Sequence, residues 1–175
     1  MSDAPLANDS ERLARWVAEH AHAVRGFLLG LVRHTALADD LLQETFRRAW
    51  EARHRYQETG RERSYLLRIA DRLATDHARR RTETTLNEAA WQQAEPASST
   101  EDPAQQLAQQ ELNQQLQAAL NALNEMQRRV LLLRYFGDLE FAEIADQLEC
   151  PLGTVLSHCH RGLSNLRKQM IDPNP

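Results

Sequence analysis

Apolar side chains recur at intervals of three and four along most of this chain, the spacing of an α-helix that buries one side. The first stripe is Leu13, Trp16, Val17, His20, Val24, Phe27, Leu28 and Leu31, and it predicts a helix over about residues 11–32. A second helix follows over about residues 38–53, with Leu41, Leu42, Thr45, Phe46, Ala49 and Trp50 facing inward. Asp39 and Asp40 then fall in its first turn, where the helix dipole favours negative charge. A polar loop over residues 55–63, containing Gly60, leads to a third helix over about residues 64–81. That helix buries Leu66, Leu67, Ala70, Leu73 and Ala74 and closes on Arg79, Arg80 and Arg81, cations at the end the dipole prefers.

The helical period fails over residues 82–106, TETTLNEAAWQQAEPASSTEDPAQQ, which combine Ser, Thr, Pro, Gln and acids around an isolated Trp91. This composition predicts a flexible linker, with a short helical piece around residues 86–92. The period returns from Leu107 with Leu112, Leu116, Leu120 and Leu123. Asn124 with Gln127 three residues later has the form of a capping box. It opens a helix over residues 125–136 that carries Val130, Leu131, Leu133 and Arg134 and stops at Gly137 and Asp138. Residues 141–167 then have the spacing of a helix-turn-helix. Ile144, Ala145 and Leu148 mark one buried face, Pro151 and Gly153 punctuate the turn, and Val155, Cys159, Gly162 and Leu166 mark the second face. The expected fold is all-α, with two small helical domains over residues 1–81 and 107–175, an acidic linker over 82–106, and the helix-turn-helix at the end of the second domain.

A length of 175 residues accommodates two small domains. No apolar run approaches the roughly 20 residues of a membrane span, and the first ten residues have neither the positive region nor the apolar core of a signal peptide. Membrane insertion is therefore not expected, and a cytoplasmic setting is. Cys150 and Cys159 are too few for a disulfide framework. The net charge of −4 is unevenly spread. Residues 1–81 carry +3, with arginine as their cation, residues 82–106 carry −5, and residues 107–175 carry −2. A polyanion would meet the first segment.

Three segments together resemble the extracytoplasmic-function group of sigma-70-family bacterial RNA polymerase sigma factors. They are ALADDLLQETFRRAW (residues 36–50), SYLLRIADRLATDHARRR (64–81), and LNEMQRRVLLLRYFGDLEFAEIADQLECPLGTVLSHCHRGLSNLR (123–167). Their order, their spacing and the acidic stretch between them all agree with that family. The resemblance implies a region 2-like domain that docks on polymerase and melts DNA, and a region 4-like domain that reads an upstream element.

Through the resemblance, Asp40, Gln43, Glu44 and Arg47 become the polymerase-docking residues of the second helix. Their spacings of three and four put them along one polar side. Without the resemblance the same side reads as solvated charge on an amphipathic helix. The promoter-melting region falls on the loop and third helix. There Tyr56 and Tyr65 offer stacking surfaces for an unstacked base. Arg53, Arg55, Arg61, Arg63, Arg68, Arg72, Arg79 and Arg80 offer cations for phosphates. Family members commonly carry Trp at Tyr65 and Asn at Arg72. The upstream element is assigned to Thr154, Leu156, Ser157, His158 and Arg161. Here the family commonly has Lys at Leu156, Arg at His158 and at Leu163, and a capping Ser at Glu140. Leu156 either meets thymine methyls or joins Leu163 in a protein-binding patch.

No catalytic residues, metal ligands or cofactor are expected. His158, Cys159 and His160 are adjacent on a helix and point apart, which opposes a tetrahedral site. Cys159 reads as a small buried hydrophobe. No Gly-rich phosphate loop, nucleophile elbow or metal pair at helical spacing suggests an enzyme. The expected partners are core RNA polymerase, promoter DNA and an anti-sigma factor or other inhibitory protein, with no obligate homo-oligomer. Two alternatives stand beside the sigma-factor reading. One is a conventional two-domain helix-turn-helix regulator; the other is a polymerase-binding protein with weakened DNA recognition.

Overall fold

A computed structural model describes residues 4–56, 60–84 and 103–171, and the side chains of 9–56, 60–80, 111, 112 and 114–171. The predicted linker lies largely outside the described residues. All the described regular structure is helical: α1 Ala4–Val32, α2 Thr35–Glu51, α3 Glu62–Thr84, α4 Pro103–Asn121, α5 Glu125–Tyr135, α6 Phe141–Gln147 and α7 Leu152–Ile171. The chain forms two compact units, Met1–Gln93 and Ala94–Pro175.

In the first unit α1, α2 and α3 each pack on the other two. The stripes expected from the sequence meet at one core: Trp16, Val24, Phe27 and Leu28 from α1, Leu41, Phe46 and Ala49 from α2, and Leu66, Leu67, Ala70 and Leu73 from α3. Each large side chain removed from water in this way contributes about 1.5–3 kcal/mol, which is what makes the three amphipathic helices one body. Thr45 is fully buried, and its hydroxyl is satisfied by donating to the Leu41 carbonyl at 2.7 Å. Val17, expected inside, lies at the edge of the stripe and is exposed.

The ends of two helices differ from expectation. α1 begins at Ala4, seven residues earlier than the start expected at residue 11. α2 begins at Thr35 because the His34 ring caps it, Nδ1 accepting from the Leu37 N–H at 3.1 Å. Asp39 and Asp40 therefore lie beyond the first turn. Asp39 instead accepts a forked pair of hydrogen bonds from Arg25, at 2.6 and 3.2 Å, tying α2 to α1. Asp71, a buried residue of α3, was not among the expected inner positions.

His20 is buried as expected, and burial first, then the nearby Arg63, hold its pKa below the ordinary 6.5. Glu19 and Glu62 pull the other way without reversing the shift. Unfolded, the ring takes its proton near 6.5; folded, only at lower pH. The stability that His20 contributes by staying neutral is thus present above 6.5 and lost as pH falls below it. Thermal melting across neutral to mildly acidic buffers should show a falling midpoint, and His20→Gln should flatten that dependence. An unchanged slope in the variant would assign the effect elsewhere.

In the second unit α7 packs against α4, α5 and α6. Four consecutive residues of α5, Val130 to Leu133, are buried, so this helix is enclosed rather than one-sided. The Asn124 side chain caps α5, accepting from the Gln127 N–H at 2.9 Å. The Gln127 amide oxygen accepts from Asn165 of α7 at 3.3 Å, linking the two helices. Leu120 and Leu123 are buried, whereas Leu112 is exposed. α4 itself starts at Pro103, inside the stretch expected to be linker, with proline in the first helical position that its missing N–H suits.

Candidate functional site

The polar side of α2 is a structured charge array. Asp40, Gln43 and Arg47 are exposed and Glu44 is half-buried. The Glu44 carboxylate accepts a forked pair from Arg47, both at 2.7 Å, and a third hydrogen bond from Arg48 at 2.8 Å. These bonds, Arg47's first, hold the Glu44 carboxyl at a pKa of about 2. Arg47 also reaches Glu51, one turn further on. At an exposed site such pairs contribute little to stability. Their effect is geometric, holding Glu44, Arg47, Arg48 and Glu51 in one ladder along the helix.

The second surface begins where α2 ends. Trp16, Tyr56 and Tyr65 form one aromatic cluster: Tyr56 lies 4.8 Å from both other rings, edge-on to Trp16 and tilted to Tyr65. Tyr65 is half-buried, and burial pushes its phenol pKa up, so it stays a neutral ring with a donor. On α3, Tyr65, Arg68, Arg72 and Arg79 follow at intervals of three, four and seven and share one face. Arg68, Arg72, Arg79 and Arg80 are exposed, as are Arg55 and Arg61 on either side of the loop. Gly60 adopts a left-handed backbone, φ 71°, which glycine takes without strain.

Two expected DNA contacts point elsewhere. Arg63 is half-buried and near enough to His20 to disfavour its charge. Arg53 is turned inward, its guanidinium 4.2 Å over the Trp50 ring and bonded to Asp9 at 3.2 Å and to the Trp50 carbonyl at 3.0 Å. Asp9 was not among the candidates. The apolar stripe that defined α1 starts at Leu13, so no periodic signal reached back to it.

The third surface is α7. Thr154, Ser157, His158 and Arg161 fall on one face at helical spacing, with the buried residues Val155, Cys159 and Gly162 on another. Leu156 is on neither. It is 44% exposed and lines up with Leu152, Leu163 and Met170, all exposed, at intervals of four and seven. The structure therefore separates Leu156 from the other four upstream candidates and joins it to an apolar stripe. The turn before α7 also differs from expectation. Glu149, not glycine, takes the left-handed backbone with φ 51°, while Gly153 sits inside the first turn of α7 with open space around it. Glu140, in the capping position of α6, donates its N–H to the Glu143 carboxylate at 3.1 Å, the N3-acid half of a capping box. Cys159 is buried, and burial raises its thiol pKa against the weaker pull of Arg134, which makes it unreactive packing. Among the described residues no three His, Cys, Asp or Glu side chains gather as a metal site.

Comparison with known proteins gives two family matches: sigma-70 region 2 over residues 16–84 and sigma-70 region 4 over residues 113–166. The chain is 32% identical over 151 residues to the RNA polymerase sigma factor CarQ of Myxococcus xanthus, covering 86% of this chain and 84% of that protein. It is 29% identical over 142 residues to the ECF RNA polymerase sigma factor SigW of Bacillus subtilis, covering 77% and 76%. Its fold is similar to that of the sigma factor RpoE crystallised with the anti-sigma factor NepR from Bartonella quintana. That likeness has a TM-score of 0.71 at 20% identity, over 94% of this chain and 98% of that one.

Proposed function

The chain belongs to the extracytoplasmic-function group of RNA polymerase sigma factors, and from that premise we propose how its surfaces divide the work of initiation. It is not an enzyme. It binds core RNA polymerase and directs it to promoters, and its chemistry is positioning and strand separation. The domain limits we assign are residues 1–81 for docking and melting, 82–106 as connector, and 107–175 for upstream recognition. The cytoplasm is its setting; among the described residues no helix is long and apolar enough to cross a membrane.

Asp40, Gln43, Glu44 and Arg47 dock on polymerase. The observation that carries this assignment is the Glu44 array, which presents its groups in a fixed order and so loses little freedom on binding. Arg55, Arg61, Arg68, Arg72, Arg79 and Arg80 take phosphates of the downstream element, and Tyr56 and Tyr65 stack an extruded base. Thr154, Ser157, His158 and Arg161 enter the upstream groove. Leu156 is assigned to protein contact, because it shares a line with Leu152 and Leu163 rather than with the polar face. An anti-sigma factor restrains the protein by covering such surfaces, as one accompanies the similar sigma factor from Bartonella quintana.

Run-off transcription with sigma-free core polymerase over a genomic promoter library tests this directly. Discrete start sites are expected, and Gln43→Ala with Glu44→Ala should weaken core binding by about thirtyfold, the size of an interfacial hot spot. Core binding without initiation would favour the polymerase-binding alternative. Absence of core binding would leave a conventional regulator.

A further inference from the structure

The inward-turned Arg53 belongs to a larger arrangement that the assignments above do not use. Asp9, near the start of α1, is mostly buried, its side chain 12% exposed. One carboxylate oxygen accepts from Arg12 at 2.8 Å and the other from Arg53 at 3.2 Å. The same Arg12 donates to the Arg53 backbone carbonyl at 3.2 Å, just past the end of α2, and lies 5.6 Å over the Trp16 ring. Trp16 in turn holds Tyr56 edge-on at 4.8 Å. A single carboxylate thus fixes two guanidiniums. One of them fixes the backbone at the start of the melting loop, and that same one braces the ring against which Tyr56 packs.

Charge makes the arrangement depend on Asp9. Without it the Arg12 and Arg53 guanidiniums lose the carboxylate that bridges them, and the link between α1 and the end of α2 loosens. We infer that Asp9 is a positioning residue for promoter melting: it presets the junction of α2 and the loop so that Tyr56 and Tyr65 present stacking surfaces to an unstacked base. The inference rests on the sigma-factor assignment and on the role given there to the two tyrosines.

The test uses full-length protein with core polymerase on the promoter giving the strongest run-off. Two templates are compared: the duplex, and the same sequence with mismatches across the start-proximal stretch so that it is already open. Asp9→Asn should slow open-complex formation on the duplex by about tenfold, the size expected for loss of a charge-assisted hydrogen bond. On the pre-opened template, and in core binding, it should match wild type. Asp9→Glu, which keeps the charge, should restore most of the duplex rate. Equal slowing on both templates, or none on either, would overturn the inference. So would an Asp9→Asn protein without a cooperative thermal transition, since Asp9 would then serve the fold rather than the loop. Failure of wild type itself on both templates would instead remove the sigma-factor assignment, and the inference with it.

Discussion

Trp16→Ala is expected to destabilise the three-helix unit by about 3–5 kcal/mol, the range for emptying a buried aromatic site, and to abolish promoter opening. Trp16 is 2% exposed and is the largest fully buried side chain of its core. Its ring meets Tyr56 at 4.8 Å and Tyr65 at 6.1 Å, so truncation leaves a void beneath both tyrosines. An interior packed at crystal density relaxes only partly round such a void. Trp16→Phe separates packing from polarity. The Trp16 indole N–H is buried with no hydrogen-bond partner among the described residues. Phenylalanine removes that unsatisfied donor while keeping a ring against Tyr56. The Phe variant should therefore lose only about 1–2 kcal/mol, cavity and relief partly cancelling. Urea unfolding followed by far-UV circular dichroism reads both values. Equal losses in the two variants would mean that the ring contacts with the tyrosines contribute nothing.

The second large effect is expected at Gly162. A Cβ built there lies 2.9 Å from Leu131 Cδ1, 3.3 Å from Leu131 Cγ and 3.4 Å from Gln127 Cβ. α7 can approach α5 this closely only because position 162 has no side chain. For Gly162→Ala the clash falls on the end of a leucine, which can turn aside. Alanine also gains about 1 kcal/mol of helix propensity over glycine. The net change should be small. Gly162→Val adds two more methyl groups and a branched Cβ, which no rotation of Leu131 accommodates, and should cost about 3 kcal/mol by overpacking. The Gln127 to Asn165 bond crosses the same seam and should break with it. The readout is upstream-element binding by the full chain, with amide hydrogen exchange in α5 and α7. Valine should abolish the first and speed the second; alanine should do neither. Wild-type behaviour in the valine variant would show that the two helices are not locked at this point.

Much of the fold was legible because its two determinants, apolar period and punctuation, are written locally. The stripes of α1, α2 and α3 are long enough to average over single misfits such as Val17. The helix-turn-helix was readable from Ile144, Val155 and Cys159. What escaped depends on partners distant in sequence. Nothing in the run from Ala4 to Ser10 is periodic; that turn of α1 carries Asp9, whose carboxylate meets Arg12 and, more than forty residues away, Arg53. Asp39 looked like a dipole partner until Arg25 claimed it. Gly153 looked like the turn residue, but the backbone constraint fell on Glu149, which shows that a positive φ can be imposed on a residue that merely tolerates it. The family resemblance pointed to the right helices. It did not separate Leu156 from Thr154 and Arg161, because it assigned them by their place in the family motif and not by their angle round the helix axis.

The hydrogen bonds from Arg47 and Arg48 hold the Glu44 carboxyl at a pKa of about 2, far below neutrality. Glu44 therefore keeps its charge in mildly acidic solution, and with it its bonds to Arg47 and Arg48. On the docking role proposed for α2, a signal that silences it has to arrive as matter, as a surface laid over that helix, and to be lifted the same way. Control of this protein at that helix is a question of occupancy, and its sensitivity is set by the abundance and lifetime of whatever covers it.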